Sequence, residues 1–166
     1  MKYIASLIFL LIISTSFINY NNVIFTSVNS NNTNQVSKAN KAGKITNVIV
    51  VKNQDSYTFK VEVKSPDTGC NQYANWWEVL TEGEELVYRR ILAHSHINEQ
   101  PFTRSGSVKG ITGDQKLIVR VHMNNTGYGT QVFKGTVNSG FNKTLVTNDF
   151  GVALEKENPQ PNPCRS

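Results

Sequence analysis

Residues 57–64 (YTFKVEVK) alternate without a break, with Tyr57, Phe59, Val61 and Val63 on one side and Thr58, Lys60, Glu62 and Lys64 on the other. A period of two with one apolar and one polar set predicts a strand with one buried face. The β-branched run at 45–51 (ITNVIVV) predicts the strand before it, and 75–80 (NWWEVL) a strand after it that carries both tryptophans. Further strands are predicted at 86–93 (LVYRRILA), 116–123 (KLIVRVHM) and 130–137 (TQVFKGTV). Between them stand turn formers: Asn53, Gln54 and Asp55, then SPDTG at 65–69, TEGEE at 81–85 and NNTGYG at 124–129. Pro66 presets φ, Asp67 can cap, and Gly69 tolerates positive φ. Residues 101–113, punctuated by Gly106, Gly110 and Gly113, read as loop, and the tail from 146 allows one short helix near 149–156.

Six strands in successive hairpins, with room for one or two more and no amphipathic helix between them, predict an all-β domain. An antiparallel β-sandwich of immunoglobulin or fibronectin type III style fits best, with a disordered N-terminal linker and an irregular C-terminal tail. A small barrel or jelly roll is the second choice. One strand resists a simple assignment. In 86–93, Leu86, Tyr88, Arg90 and Leu92 share one face and Val87, Arg89, Ile91 and Ala93 the other, so each face holds an arginine. At least one guanidinium must therefore lie along apolar surface or pair with a carboxylate.

The first residues change the picture from fold to compartment. Lys2 precedes an uninterrupted apolar run, YIASLIFLLII, followed by Ser14, Thr15 and Ser16. This is the pattern of a secretory signal peptide over residues 1–16, too short for the ~20 residues of a spanning helix. An uncleaved anchor is the alternative. Residues 17–43 are polar and low in complexity and read as a linker. A β-sandwich domain over 44–145 and a tail over 146–166 follow. Export places the chain outside the cytoplasm, in a periplasm or the medium. There an oxidising environment favours a bridge between its two cysteines, Cys70 and Cys164.

Composition narrows the partners. The formal net charge is +5, and loss of Lys2 alone leaves +4, with the basic residues scattered rather than clustered. Nothing resembles a nucleic-acid stripe, and membrane contact is expected only through the export signal. A small molecule, a glycan or a protein remains as the ligand class.

Candidate chemistry gathers in residues 88–106, YRRILAHSHINEQPFTRSG. His94 and His96 are two apart, so in extended chain both rings point to one side. With His122 from another strand they offer three nitrogens and an open position, as a zinc or similar transition-metal site needs, and Glu99 could add an oxygen or act as a base. The plainer reading is a pair of loop anchors and no cofactor. A cupin-like arrangement fails on spacing, because Glu99 follows His96 after only two residues and Tyr88 stands where a glycine is required. Arg90, Arg104 and Arg120, with Arg89 and Glu99, form a second polar set, suited either to a structural network or to an anion pocket. Trp76 and Trp77 with Tyr73 and Tyr88 could stack on sugars, although adjacent strand residues point to opposite faces. No serine or cysteine nucleophile context and no phosphate-binding glycine loop appears.

The segments NWWEVLTEGEELVYRRILAHSHINEQPFTRSG and VRVHMNNTGYGTQVFKG resemble a set of small exported bacterial proteins of uncharacterised function, over about residues 70 to 140. The resemblance implies an exported domain and carries no activity, cofactor or catalytic residue. The sequence thus points to an exported, non-catalytic binding or interaction module, with His94, His96, Glu99, Arg90, Arg104, Arg120 and His122 as candidate ligand contacts. A metal-binding protein using the three histidines and a carbohydrate-binding domain are the alternatives.

Overall fold

The computed structural model describes residues 41–165. The segments read as export signal and, up to residue 40, as linker lie outside the described residues. Among the described residues, nine strands form two antiparallel sheets. The smaller holds β1 (Lys44–Lys52), β2 (Tyr57–Lys64) and β5 (Phe102–Val108) in the order β1-β2-β5. The larger runs β4 (Leu86–Ile91), β3 (Ala74–Thr81), β6 (Leu117–Met123), β8 (Gln131–Thr136), β9 (Gly140–Leu145), with the two-residue β7 (Gly127–Tyr128) paired to β6. This division of consecutive strands between two packed sheets is a β-sandwich of the immunoglobulin and fibronectin type III kind.

Alternation explains the core. Phe59, Val61 and Val63 of β2 face Trp77 and Val79 of β3 and Leu117, Val119 and Val121 of β6, all buried in one cluster with Phe102 and Phe133. β6 is buried along its whole length, as expected of a central strand covered on both faces. The chain is already packed at its first described residues, with Ala42 buried and Gly43 against Val121 and Met123.

Two strands depart from the sequence expectation. β5 lies within the segment read as loop. Its inward positions are Phe102, Arg104, Gly106 and Val108, so a charge and a glycine interrupt the apolar set. Gly106 is needed for room rather than for φ: a Cβ there would stand 2.5 Å from the Tyr88 ring of β4, which rests on it where the sheets meet. β9 carries no alternating apolar set, because GFNKTL leaves most of its side chains exposed. The short helix of the tail is a 3-10 turn at Val152–Lys156.

That tail is laid over the outer face of the larger sheet. Leu154 joins Leu80, Ile118 and Val132 in a second apolar cluster, with Leu86, Val146 and Phe150 at its edge. Cys164 is bonded to Cys70 of the β2–β3 connection, and the Arg165 amide donates to the Ala93 carbonyl at 2.9 Å. Residues 147–165 therefore act as a strap, closed at its far end by the disulfide.

Candidate functional site

The candidate residues other than Arg90 fall into two groups on different parts of the fold. The first lies in the connection between β4 and β5. The buried carboxylate of Asp67 accepts the Ala74 amide through Oδ1 at 3.0 Å and the His96 amide through Oδ2 at 2.8 Å. Gln100 completes the clamp. Its Oε1 accepts the Ser65 amide at 2.8 Å, and its Nε2 reaches both Ser65 Oγ and the His96 carbonyl at 3.1 Å. His96 is thereby fixed by its backbone, while its ring stacks on Phe102 with centroids 3.9 Å apart.

Neither ring nitrogen of His96 has a hydrogen-bond partner, and Nδ1 stands 3.9 Å from Asp67 Oδ2. Burial pushes its pKa below the usual histidine value, reinforced by Arg104 and His94 and opposed by Asp67 and Glu99. His94 is exposed, its ring 4.6 Å from that of His96. Glu99 and Arg104 form a forked pair at the surface, Nη1 to Oε1 at 3.0 Å and Nη2 to Oε2 at 2.7 Å. This pair holds the Glu99 carboxyl below its ordinary range. Ile97, in the same connection, is 52% exposed.

The second group is buried beneath the strap. Register places Glu78 of β3 opposite Arg89 of β4 and Arg120 of β6. Glu78 Oε2 accepts Arg89 Nε at 2.8 Å, and Oε1 accepts Arg120 Nε at 2.7 Å. Two guanidinium groups on one carboxylate leave an excess positive charge in a dry layer, and backbone carbonyls of the strap compensate it. Arg89 donates to the carbonyls of Leu154, Glu157 and Pro159. Arg120 donates to those of Phe150 at 2.6 Å and Gly151 at 2.8 Å. Gly151 is required here twice over, since its φ is +57° and a Cβ would press on the Arg120 guanidinium at 3.0 Å.

His122 belongs to this second group. Its ring stacks on Trp76 at 3.8 Å and 4°, with Nδ1 2.7 Å from Asn75 Oδ1 and Nε2 3.2 Å from Glu155 Oε1. Both ring nitrogens thus have an oxygen neighbour, one from β3 and one from the strap. The Arg89 guanidinium also packs on Trp76, at 4.4 Å, and Arg120 lies 3.4 Å over Tyr128.

The three-histidine set, the alternative reading of the sequence, is therefore not gathered. His96 stacks on Phe102 of β5 with His94 beside it, and His122 lies under Glu155 on the outer face of the larger sheet. Among the described residues no group of three or more His, Cys, Asp or Glu side chains is placed to hold one ion. The tryptophan platform also fails, because Trp76 and Trp77 are 3% and 0% exposed, leaving no indole face for a sugar. Arg90 is exposed on β4 and joins neither group.

Asp67, Gln100, Asn75 and Glu155 were not singled out by sequence. Asp67 looked like an ordinary turn residue, although its place before an apolar strand is where a buried acceptor is useful. Glu78 had a signal: it is the lone acid in NWWEVL, and an acid inside a buried strand requires cationic neighbours.

Over 87 residues the chain is 34% identical to a protein of Halomicrobium mukohataei described as "Putative lipoprotein", which covers 52% of this chain and 43% of that relative. The chain thus spans less than half the length of the relative. No protein-family model matches the chain, and no solved structure matches it.

Proposed function

We propose that the chain is an exported, non-catalytic binding module whose ligand contacts the connection formed by residues 92–101. The observation that carries this reading is a contrast inside that connection. His96 and Gln100 are tied into the scaffold by Asp67 and Ser65, while His94, Ile97 and Glu99 stand exposed beside Arg104. A loop held rigid and offered to solvent suits recognition, because little ordering remains to be done on binding. Glu78, Arg89 and Arg120 are engaged with one another and with the strap, which favours a structural role for them over chemistry. Export is supported by the N-terminal apolar run, by the disulfide and by the likeness to a protein described as a lipoprotein.

The test is an array of oligosaccharides, peptides and small anions probed with the full oxidised chain. Saturable binding to one class is expected, weakened at least about tenfold (roughly 1.4 kcal/mol) by His94→Ala with Ile97→Ala at unchanged melting temperature. Turnover of ester, peptide or glycosidic substrates with saturation kinetics would refute the reading. A fusion of residues 1–40 to a reporter, followed by fractionation, tests export separately.

A further inference from the structure

The two sheets differ in how their outer faces are covered. The strap lies over the larger sheet, whereas the outward residues of the smaller one, Lys60 of β2 and Thr103, Ser105 and Ser107 of β5, are exposed. β1 is the edge of that sheet and, among the described residues, pairs only with β2. A bulge between Ile45 and Asn47 sets its later parity: Val48 and Val50 turn toward the core, and Ile49 and Val51 turn out, 52% and 43% exposed. Gln131 Nε2 covers the Ile45 carbonyl at 2.6 Å, before the bulge. No side chain of the described residues does the same for residues 48–52.

The edge left open over residues 48–52, with two neighbouring aliphatic side chains, is a template for another strand. Charge decides which. Lys44 and Lys52 stand at the two ends of β1, so two copies laid antiparallel would oppose lysine to lysine. Lys60 lies opposite Ile49, and Lys64 opposite Lys44. Lys52 has the parity of Val48 and Val50 but is exposed at the strand end, with Asp55 in the turn beyond; on the outward face Lys44, Lys60 and Lys64 stand against one acid, Glu62, already bonded by Thr46 Oγ1 at 2.6 Å. The surface around Ile49 and Val51 is therefore basic.

We propose that β1 accepts an extended, acidic polypeptide segment as a fourth strand of the smaller sheet. The segment seats alternate apolar side chains against Ile49 and Val51 and places carboxylates near Lys44, Lys52 and Lys60. Backbone pairing supplies affinity, and these side chains supply selectivity. The inference rests on the reading of the chain as a binding module and gives it a second surface, away from residues 92–101.

The probe is a short synthetic peptide of alternating valine and threonine with paired glutamates at its ends, added to the full chain with its disulfide intact. Saturable binding is expected, with slowed amide exchange within residues 48–52. Affinity should fall at least about tenfold with Ile49→Ser plus Val51→Ser, or with lysines replacing the glutamates of the peptide. His94→Ala with Ile97→Ala should leave it unchanged. Absence of binding, or binding indifferent to the Ile49 and Val51 variants, overturns the proposal. So does protection in the free chain of those amides of residues 48–52 that point away from β2, which would assign the edge to the chain's own residues before 41, or protection that grows with protein concentration alone, which would assign it to a second copy. Enzymatic turnover would remove the earlier reading and leave this surface standing.

Discussion

The amide of His96 donates to Asp67 Oδ2 at 2.8 Å, yet its ring nitrogen Nδ1 stops 3.9 Å from the same oxygen. The carboxylate holds the backbone and leaves the imidazole without a bond. Burial against Phe102, with Arg104 and His94 nearby, therefore outweighs the attraction of Asp67 and Glu99, and the folded pKa lies below the ordinary 6.5. The unfolded chain takes up this proton first, so the contribution of His96 is complete above about pH 6.5 and is lost as pH falls toward the folded value. His96→Phe keeps a ring against Phe102 and removes the titration. Its melting temperature should fall less than that of the parent chain between pH 7 and pH 5 (about the span of the histidine transition). A parallel fall in the two proteins would contradict the assignment.

Glu78 neutralises two guanidinium groups at once, and Glu78→Gln leaves both buried with only strap carbonyls to bond. Removing one partner of a buried ionic group costs about 3–5 kcal/mol. The expected outcome in denaturant titration is a loss of that order, together with faster amide exchange at Leu154 and Glu157. Replacing Glu78, Arg89 and Arg120 together by apolar residues should not restore stability, because the carbonyls of Phe150, Gly151, Leu154 and Glu157 would lose their donors. Full recovery in the triple variant would show that the arginines do not hold the strap.

The strands that alternate cleanly were legible, because burial on one face writes itself into the sequence with a period of two. β2 shows this at Phe59, Val61 and Val63. β5 was not legible, since Gly106 contributes no side chain and its value lies in the space it yields to Tyr88, a residue on another sheet. The conflict of Arg89 and Arg90 on β4 was visible as a problem. Its answer, Glu78 on the neighbouring strand, depended on register, which no local pattern carries. The histidines were legible in part for the same reason: spacing could place His94 beside His96 as a loop pair, but only the sheet order assigns His122 to the face under the strap. That face became visible only once the tail was folded over it.

The bridge between Cys70 and Cys164 closes a separation of 94 residues. In the chain-entropy account, opening so long a loop costs about 4–5 kcal/mol, less any local relaxation. Cys70→Ser with Cys164→Ser should lower global stability by that order and loosen the strap unevenly. Protection should fall most at the Arg165 amide, next to the bridge, and least near Leu154, which is held by apolar contacts and by Arg89. Hydrogen exchange resolved by residue checks this. Uniform loss along residues 147–165 would show that the bridge, rather than the arginines, seats the whole strap.

Gly106 and Tyr88 join the two sheets at the β4 and β5 side of the sandwich, and their coupling can be measured directly. A Cβ at 106 would stand 2.5 Å from both Cε1 and Oη of Tyr88, so Gly106→Ala must displace the ring or part the strands. Overpacking of this kind costs about 1–3 kcal/mol. Tyr88→Phe should not relieve it, because the clash includes a ring carbon as well as the hydroxyl. Tyr88→Ala removes the obstacle, so Gly106→Ala made in that background should cost less than about 0.5 kcal/mol. A double-mutant cycle from equilibrium unfolding gives the coupling. Additive costs would mean that Gly106 answers to some constraint of β5 itself and that the contact with Tyr88 is incidental.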